Sequence, residues 1–206
     1  MTLAQETMRT AIILSIVALQ SSAWATEALD FANGRSPDGS FSVRVRRPEA
    51  AEALPSLEII SVTTNTVIGT THTGGYAHYP SVAEDASTAV LWSPDSKHLA
   101  LMTRGTKRST ELRLYRVEAS GLTEITLPSP TDRAFQLLKA TVSYRCTFQR
   151  PKMWIDNETL TVRASGDIKN PSGSGVPIWY EVDITFNIHD KKITDAKVIT
   201  TKPKEG

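Results

Sequence analysis

Apolar and polar residues alternate with period two over several stretches of this chain. In Ser40-Phe41-Ser42-Val43-Arg44-Val45-Arg46, the apolar Phe41, Val43 and Val45 share one face and the polar residues the other, the pattern of a half-buried strand. Tyr180 to Ile188 repeats it, directing Tyr180, Val182, Ile184, Phe186 and Ile188 towards a core. His189-Asp190-Lys191-Lys192 then reads as a hairpin turn into a last strand from Ile193 to Thr200. Leu99-Ala100-Leu101-Met102 is apolar without alternation, so a strand covered on both faces is expected there.

Further strands are expected over Leu57–Val62, Glu111–Val117, Leu122–Leu127 and Leu160–Ala164. Arg104–Thr110 reads as an exposed hairpin loop, and Ser165–Pro177, with its Asn, Pro, Ser and Gly content, as a mobile connection. Helix is sparse: Pro130–Lys139 predicts two or three turns capped by Ser129 or Thr131, and Pro48–Leu54 one more turn ended by Pro55. The expected class is all-β with minor α.

A turn phrase recurs through this pattern. It is fullest in Leu91-Trp92-Ser93-Pro94-Asp95-Ser96-Lys97-His98-Leu99-Ala100-Leu101, earlier as Ser36-Pro37-Asp38-Gly39-Ser40-Phe41-Ser42-Val43, and faintest from Trp154 to Val162. Asp38 to Asp95 is 57 residues and Trp92 to Trp154 is 62, room enough between turns for four strands. Proline presets the backbone at the first turn position, aspartate bonds nearby amides, and Gly39 relieves a constrained site.

Trp92 to Leu101 resembles the Trp-Ser-Pro-Asp-Gly-Lys phrase of Tol-type and WD-like β-propeller repeats. Ser36 to Val43 matches with Arg35 in place of the tryptophan, and Trp154 to Val162 matches without the Ser-Pro-Asp. The resemblance implies four-stranded antiparallel blades, a phrase linking the outer strands of one blade to the next, structural rather than catalytic roles for the matched residues, and loops presented to protein partners. Closed propellers have about four to eight blades, whereas this chain holds about three repeats. An incomplete or non-standard propeller is expected, its open edges guarded by loops, charges, self-association or a protein partner.

The N-terminal segment adds a destination. Arg9, the apolar run Ala11–Leu19 and the small-x-small signature Ala23-Trp24-Ala25 read as a signal peptide, residues 1–25, cleaved after Ala25. Residues 26–206 are then expected as a single β-rich, propeller-like domain, periplasmic or secreted, with no later apolar segment long enough for a transmembrane helix. The single cysteine, Cys146, can form no internal disulfide, and its strand-like surroundings predict a buried thiol acting as a small hydrophobe. A net charge of +1 gives no general attraction to nucleic acid or anionic membrane.

The richest candidate chemistry lies in Thr71–Pro80, which gathers His72, Tyr76, His78 and Tyr79 with a diglycine. Such a loop offers stacking surface and hydrogen bonds to a ligand or partner. His72 and His78, with Glu84 or Asp85 near them, match no established zinc spacing, so neither a metal nor another cofactor is expected. Arg104, Lys107 and Arg108 form a basic cluster beside the expected hairpin. Arg44 and Arg46 fall on the solvent side of their strand and read as a solvated face. Trp92 and Trp154 recur at equivalent positions, which points to blade packing rather than a carbohydrate platform. No Gly-x-Ser-x-Gly elbow is present, and no residue is assigned a catalytic role. The expected function is an exported, non-enzymatic interaction or ligand-binding module contacting its partner through Thr71–Pro80 and Arg104–Thr110. The alternative is a small periplasmic hydrolase or metal-dependent enzyme using His72 or His78.

Overall fold

The computed structural model describes residues 28–46, 56–72, 90–106, 108–140, 143–170 and 175–203. The expected signal peptide and the Pro48–Leu54 turn lie outside them. Among the described residues, twelve strands and one helix follow in chain order. The first repeat contains β1 (Ala28–Arg35), β2 (Phe41–Arg46), β3 (Ser56–Ser61) and β4 (Thr66–His72). The second contains β5 (Val90–Trp92), β6 (His98–Thr106), β7 (Ser109–Glu118) and β8 (Gly121–Glu124). After α1 (Pro130–Leu138) come β9 (Ser143–Trp154), β10 (Thr159–Ile168), β11 (Ile178–Asn187) and β12 (Lys192–Pro203).

Among the described residues the fold is all-β, in largely antiparallel sheets with no closed barrel. β1 to β4 form a four-stranded sheet in chain order, whereas the other eight strands are continuous, ordered β12-β11-β10-β9-β7-β6-β5 with β8 also on β7. The second and third repeats join because one edge of β7 is shared. β8 takes Tyr115–Glu118, and β9 approaches in parallel where Ser109 faces Thr147. Gln149 bridges what the short ladder leaves open: its side-chain oxygen accepts from the Leu112 amide at 3.1 Å, and its own amide donates to Thr110 Oγ1 at 3.0 Å.

The turn phrase occupies a different place from the one the resemblance implies. It joins the first strand to the second within a repeat, β1 to β2 and β5 to β6, because Arg35 pairs with Ser42 and Trp92 with Leu99 across the turn. Other boundaries also shift. The Arg104–Thr110 segment is mostly strand, with Thr106 paired to Ser109 and their hydroxyls 2.8 Å apart. Ser165–Ile168, expected as a mobile connection, continues β10 and is buried. β8 is shorter than the Leu122–Leu127 strand expected there.

Two cores flank the second repeat. Phe31, Val43, Val45, Leu57 and Ile59 from the first repeat meet Trp92, Leu99, Leu101, Tyr115 and Val117 from the second. On the other side Ala100 and Leu114 join Ala134 of α1 and the inward residues of β10 and β11, including all five expected from the Tyr180–Ile188 alternation. β6 therefore feeds both cores by turns, Leu99 and Leu101 to one and Ala100 to the other, as its unbroken apolar run requires.

The first and third repeats carry polar outer faces. Arg44 and Arg46 are not merely solvated: both pair with Glu58, at 2.8 and 3.2 Å, and that carboxylate is only 3% exposed. On the third repeat Arg163 pairs with Asp183 at 2.8 Å and with Glu181 at 3.1 Å, while Lys152 also reaches Asp183. The outer edge of β12 is bulged twice and carries Lys192, Lys197 and Lys202, devices that discourage edge-to-edge pairing.

Candidate binding surfaces

The recurring turn is built twice with one hydrogen-bond pattern. Ser36 Oγ donates to Asp38 Oδ1 at 2.6 Å and accepts from the Phe41 amide at 3.0 Å, while Asp38 Oδ1 accepts from the Ser40 amide at 3.0 Å. Ser93, Asp95, His98 and Lys97 repeat this set at 2.7, 2.9 and 3.2 Å. The third turn position is left-handed in both, Gly39 with φ 75° and Ser96 with φ 63°. Ser96 accepts the strain of that position, and its hydroxyl takes a 3.0 Å bond from the Asp38 amide of the neighbouring turn. The Ser36 hydroxyl and then the Ser40 amide hold the Asp38 carboxyl down at about 2. These polar groups are occupied by one another and are structural.

The joints between repeats recur as well. Trp92 stacks on Phe41 at 6.1 Å and donates to the Gly34 carbonyl at 2.8 Å. Trp154 stacks on His98 at 5.9 Å and donates to the Leu91 carbonyl at 3.3 Å. Phe41 and His98 hold equivalent places, as do Gly34 and Leu91, so each tryptophan ties its repeat to the preceding one. In the third turn Asp156 caps the Glu158 and Thr159 amides, at 2.8 and 2.7 Å, without serine or proline.

A cleft of about 690 Å³ opens beside these joints, with Phe41, Lys97, His98, Arg116 and Glu158 in its wall. Burial pushes the His98 imidazole below its ordinary value of 6.5, against the pull of Asp95. The folded protein thus holds its proton less tightly than the unfolded chain. Its contribution to stability is complete above about 6.5 and declines as pH falls below that value. Urea unfolding between pH 7.5 and 5 is expected to show this decline, and a His98→Phe variant a flatter profile; parallel profiles would count against it.

A second surface lies on the outer face of the third repeat, where a cleft of about 510 Å³ is lined by side chains from β9, β10 and β11. Directly paired residues share a face, so Phe148, Ser165 and Glu181 form one row across the strands, and Arg150, Arg163 and Asp183 the next. The Phe148 and Trp179 rings lie 6.1 Å apart, tilted by 40°. Arg163 is neutralised by its two carboxylates. Arg150, directly opposite it and half-buried, has no carboxylate partner among the described residues.

Those expected site residues that are described fall elsewhere. His72 ends β4 opposite Ser56, and Arg104 lies on β6 opposite Thr110. Arg108 is exposed beside β9, its carbonyl accepting from the Thr147 amide at 3.2 Å. Tyr76, His78, Tyr79 and Lys107 lie outside the described residues. Thr71, the neighbour of His72, bonds Tyr115 at 2.9 Å, and Tyr115 stands about 20 Å along β7 from Ser109 at the hairpin. Cys146 is half-buried, and its thiol donates to Asp167 Oδ2 at 3.3 Å, so it acts as a polar group rather than a small hydrophobe. The Phe148–Arg150–Trp179 surface escaped the sequence reading because it needs the β9–β10–β11 register, although Trp179, Glu181 and Asp183 already alternate with the core residues.

Among the described residues no three potential metal ligands cluster, and no helix is long and apolar enough to cross a membrane. No protein-family model matches the chain, and no curated protein matches it. Two TolB structures are among the solved structures similar to it. The putative TolB of Agrobacterium tumefaciens is 11% identical, with 85% of this chain and 50% of that one covered and a TM-score of 0.39. TolB of Acinetobacter baumannii is 11% identical, with 86% and 44% covered and a TM-score of 0.34. This chain thus spans about half the length of these TolB structures.

Proposed function

We propose that this chain is an exported, non-enzymatic binding module that acts in the periplasm or outside the cell. The observation carrying this reading is the division of its polar chemistry. The recurring turns spend their serines and aspartates on each other, while the outer face of the third repeat keeps an aromatic pair beside a guanidinium with no carboxylate partner among the described residues. Half-exposed tryptophan and arginine are residue types enriched where proteins bind partners. The Thr71–Pro80 loop and the Arg104–Thr110 hairpin serve in this reading as separate contact segments.

Affinity capture of the tagged chain from its host, together with ester, peptide and glycoside turnover assays with and without added metal, tests this function. A reproducible partner and no turnover are expected. Weaker capture by a Tyr76→Ala, Tyr79→Ala double variant would assign contact to the loop. Turnover lost on His78→Ala would replace the binding reading with the hydrolytic one.

A further inference from the structure

We infer that the outer face of the third repeat binds an extended acidic peptide segment that alternates an apolar side chain with a carboxylate; this rests on the binding-module reading. Arg150 and Arg163 are direct cross-strand neighbours, but of the two only Arg163 has carboxylate partners among the described residues. Asp183 and Glu181 bind Arg163, at 2.8 and 3.1 Å, and Lys152 also draws on Asp183. Glu181 and Asp183 are therefore engaged by Arg163 and Lys152, and the guanidinium left without a carboxylate partner among the described residues is Arg150. A carboxylate from outside would answer it with a two-pronged, charge-assisted bond.

The apolar half of the recognition lies two residues away. Phe148 and Arg150 share one strand face, about 7 Å apart by the strand repeat. An extended peptide places its own i and i+2 side chains at the same interval. One side chain thus meets the Phe148–Trp179 ledge while the next-but-one meets Arg150. A regular match of ring to apolar group and guanidinium to carboxylate favours a peptide over a polysaccharide, whose charges follow the sugar spacing. Lys202, opposite Trp179 on β12, adds positive charge at the margin.

The test uses the full mature chain and a fluorescent eight-residue peptide alternating phenylalanine and glutamate, read by anisotropy. Controls are the same peptide with lysine for glutamate and a soluble polygalacturonate. The acidic peptide is expected to bind, to weaken as salt rises, and to lose about tenfold or more in affinity with Arg150→Gln. Because Arg150 has no carboxylate partner among the described residues, the same variant should leave the melting temperature unchanged, which a merely structural arginine would not allow. Trp179→Ala is expected to weaken the acidic peptide as well. Equal binding of the lysine peptide, undiminished binding by Arg150→Gln, or tighter binding of polygalacturonate would overturn the inference. Host-protein capture unaltered by Arg150→Gln would also overturn it while leaving the binding-module reading intact.

Discussion

Gly166→Ala is expected to destabilise the protein by about 2–6 kcal/mol, adding about 1–3 for backbone strain to about 1–3 for overpacking. Gly166 sits in β10 between Tyr180 of β11 and Thr147 of β9. A Cβ built there would lie 2.2 Å from the Cys146 carbonyl oxygen and 3.2 Å from Thr147 Cα, at a φ of +156°. The obstructing atoms are backbone, so no rotamer change relieves them. Gly175 is the natural control: its φ is +73° and a Cβ would have nothing within 4 Å, so alanine there should cost only about 1 kcal/mol. Urea midpoints of the two variants measure the difference, and similar midpoints would show that β9 yields at this point.

Trp92→Ala is expected to cost about 3–5 kcal/mol, the range for emptying a large aromatic from a core. Trp92 is 7% exposed, stacks on Phe41 at an interplanar angle of 14°, and satisfies the Gly34 carbonyl. Trp92→Phe would keep much of the packing but leave that buried carbonyl without its donor, a loss of about 1–3 kcal/mol. The equivalent Trp154 is half-buried and makes a longer 3.3 Å bond, so Trp154→Ala should cost less. Thermal melts of the three variants would check this order; a milder effect at Trp92 than at Trp154 would contradict the packing described.

Strands were legible where strict alternation sets a core face against a wet one, which leaves out β1. Val43 and Val45, and Tyr180 through Ile188, follow that rule residue by residue. β6 was legible for the opposite reason, since two buried faces leave no polar position in Leu99-Ala100-Leu101. The cap was also readable: Ser129 Oγ accepts from the Asp132 amide at 3.2 Å.

What stayed hidden depends on partners distant in sequence. Ser165–Ile168 reads as a loop because small and polar residues look mobile, yet Gly166 is small where β9 comes close. Arg44 and Arg46 look solvated until Glu58 is placed between them from the next strand. The merger of β7 with β9 turns on the Gln149 side chain standing in for part of a ladder, which no local periodicity encodes. Of the contact residues expected from sequence, Tyr76, His78, Tyr79 and Lys107 lie outside the described residues, and only Arg108 has a described side chain.

The placement of β6 has a consequence for cooperativity. Leu99 and Leu101 complete one core and Ala100 the other, and on β7 Tyr115 and Leu114 divide in the same way, so the second repeat is common property of two apolar clusters. Loosening either outer repeat exposes one cluster, whereas loosening β6 exposes both together. The two cores are coupled through the strands of the second repeat, and the population of partly unfolded chains depends on how firmly those strands are held.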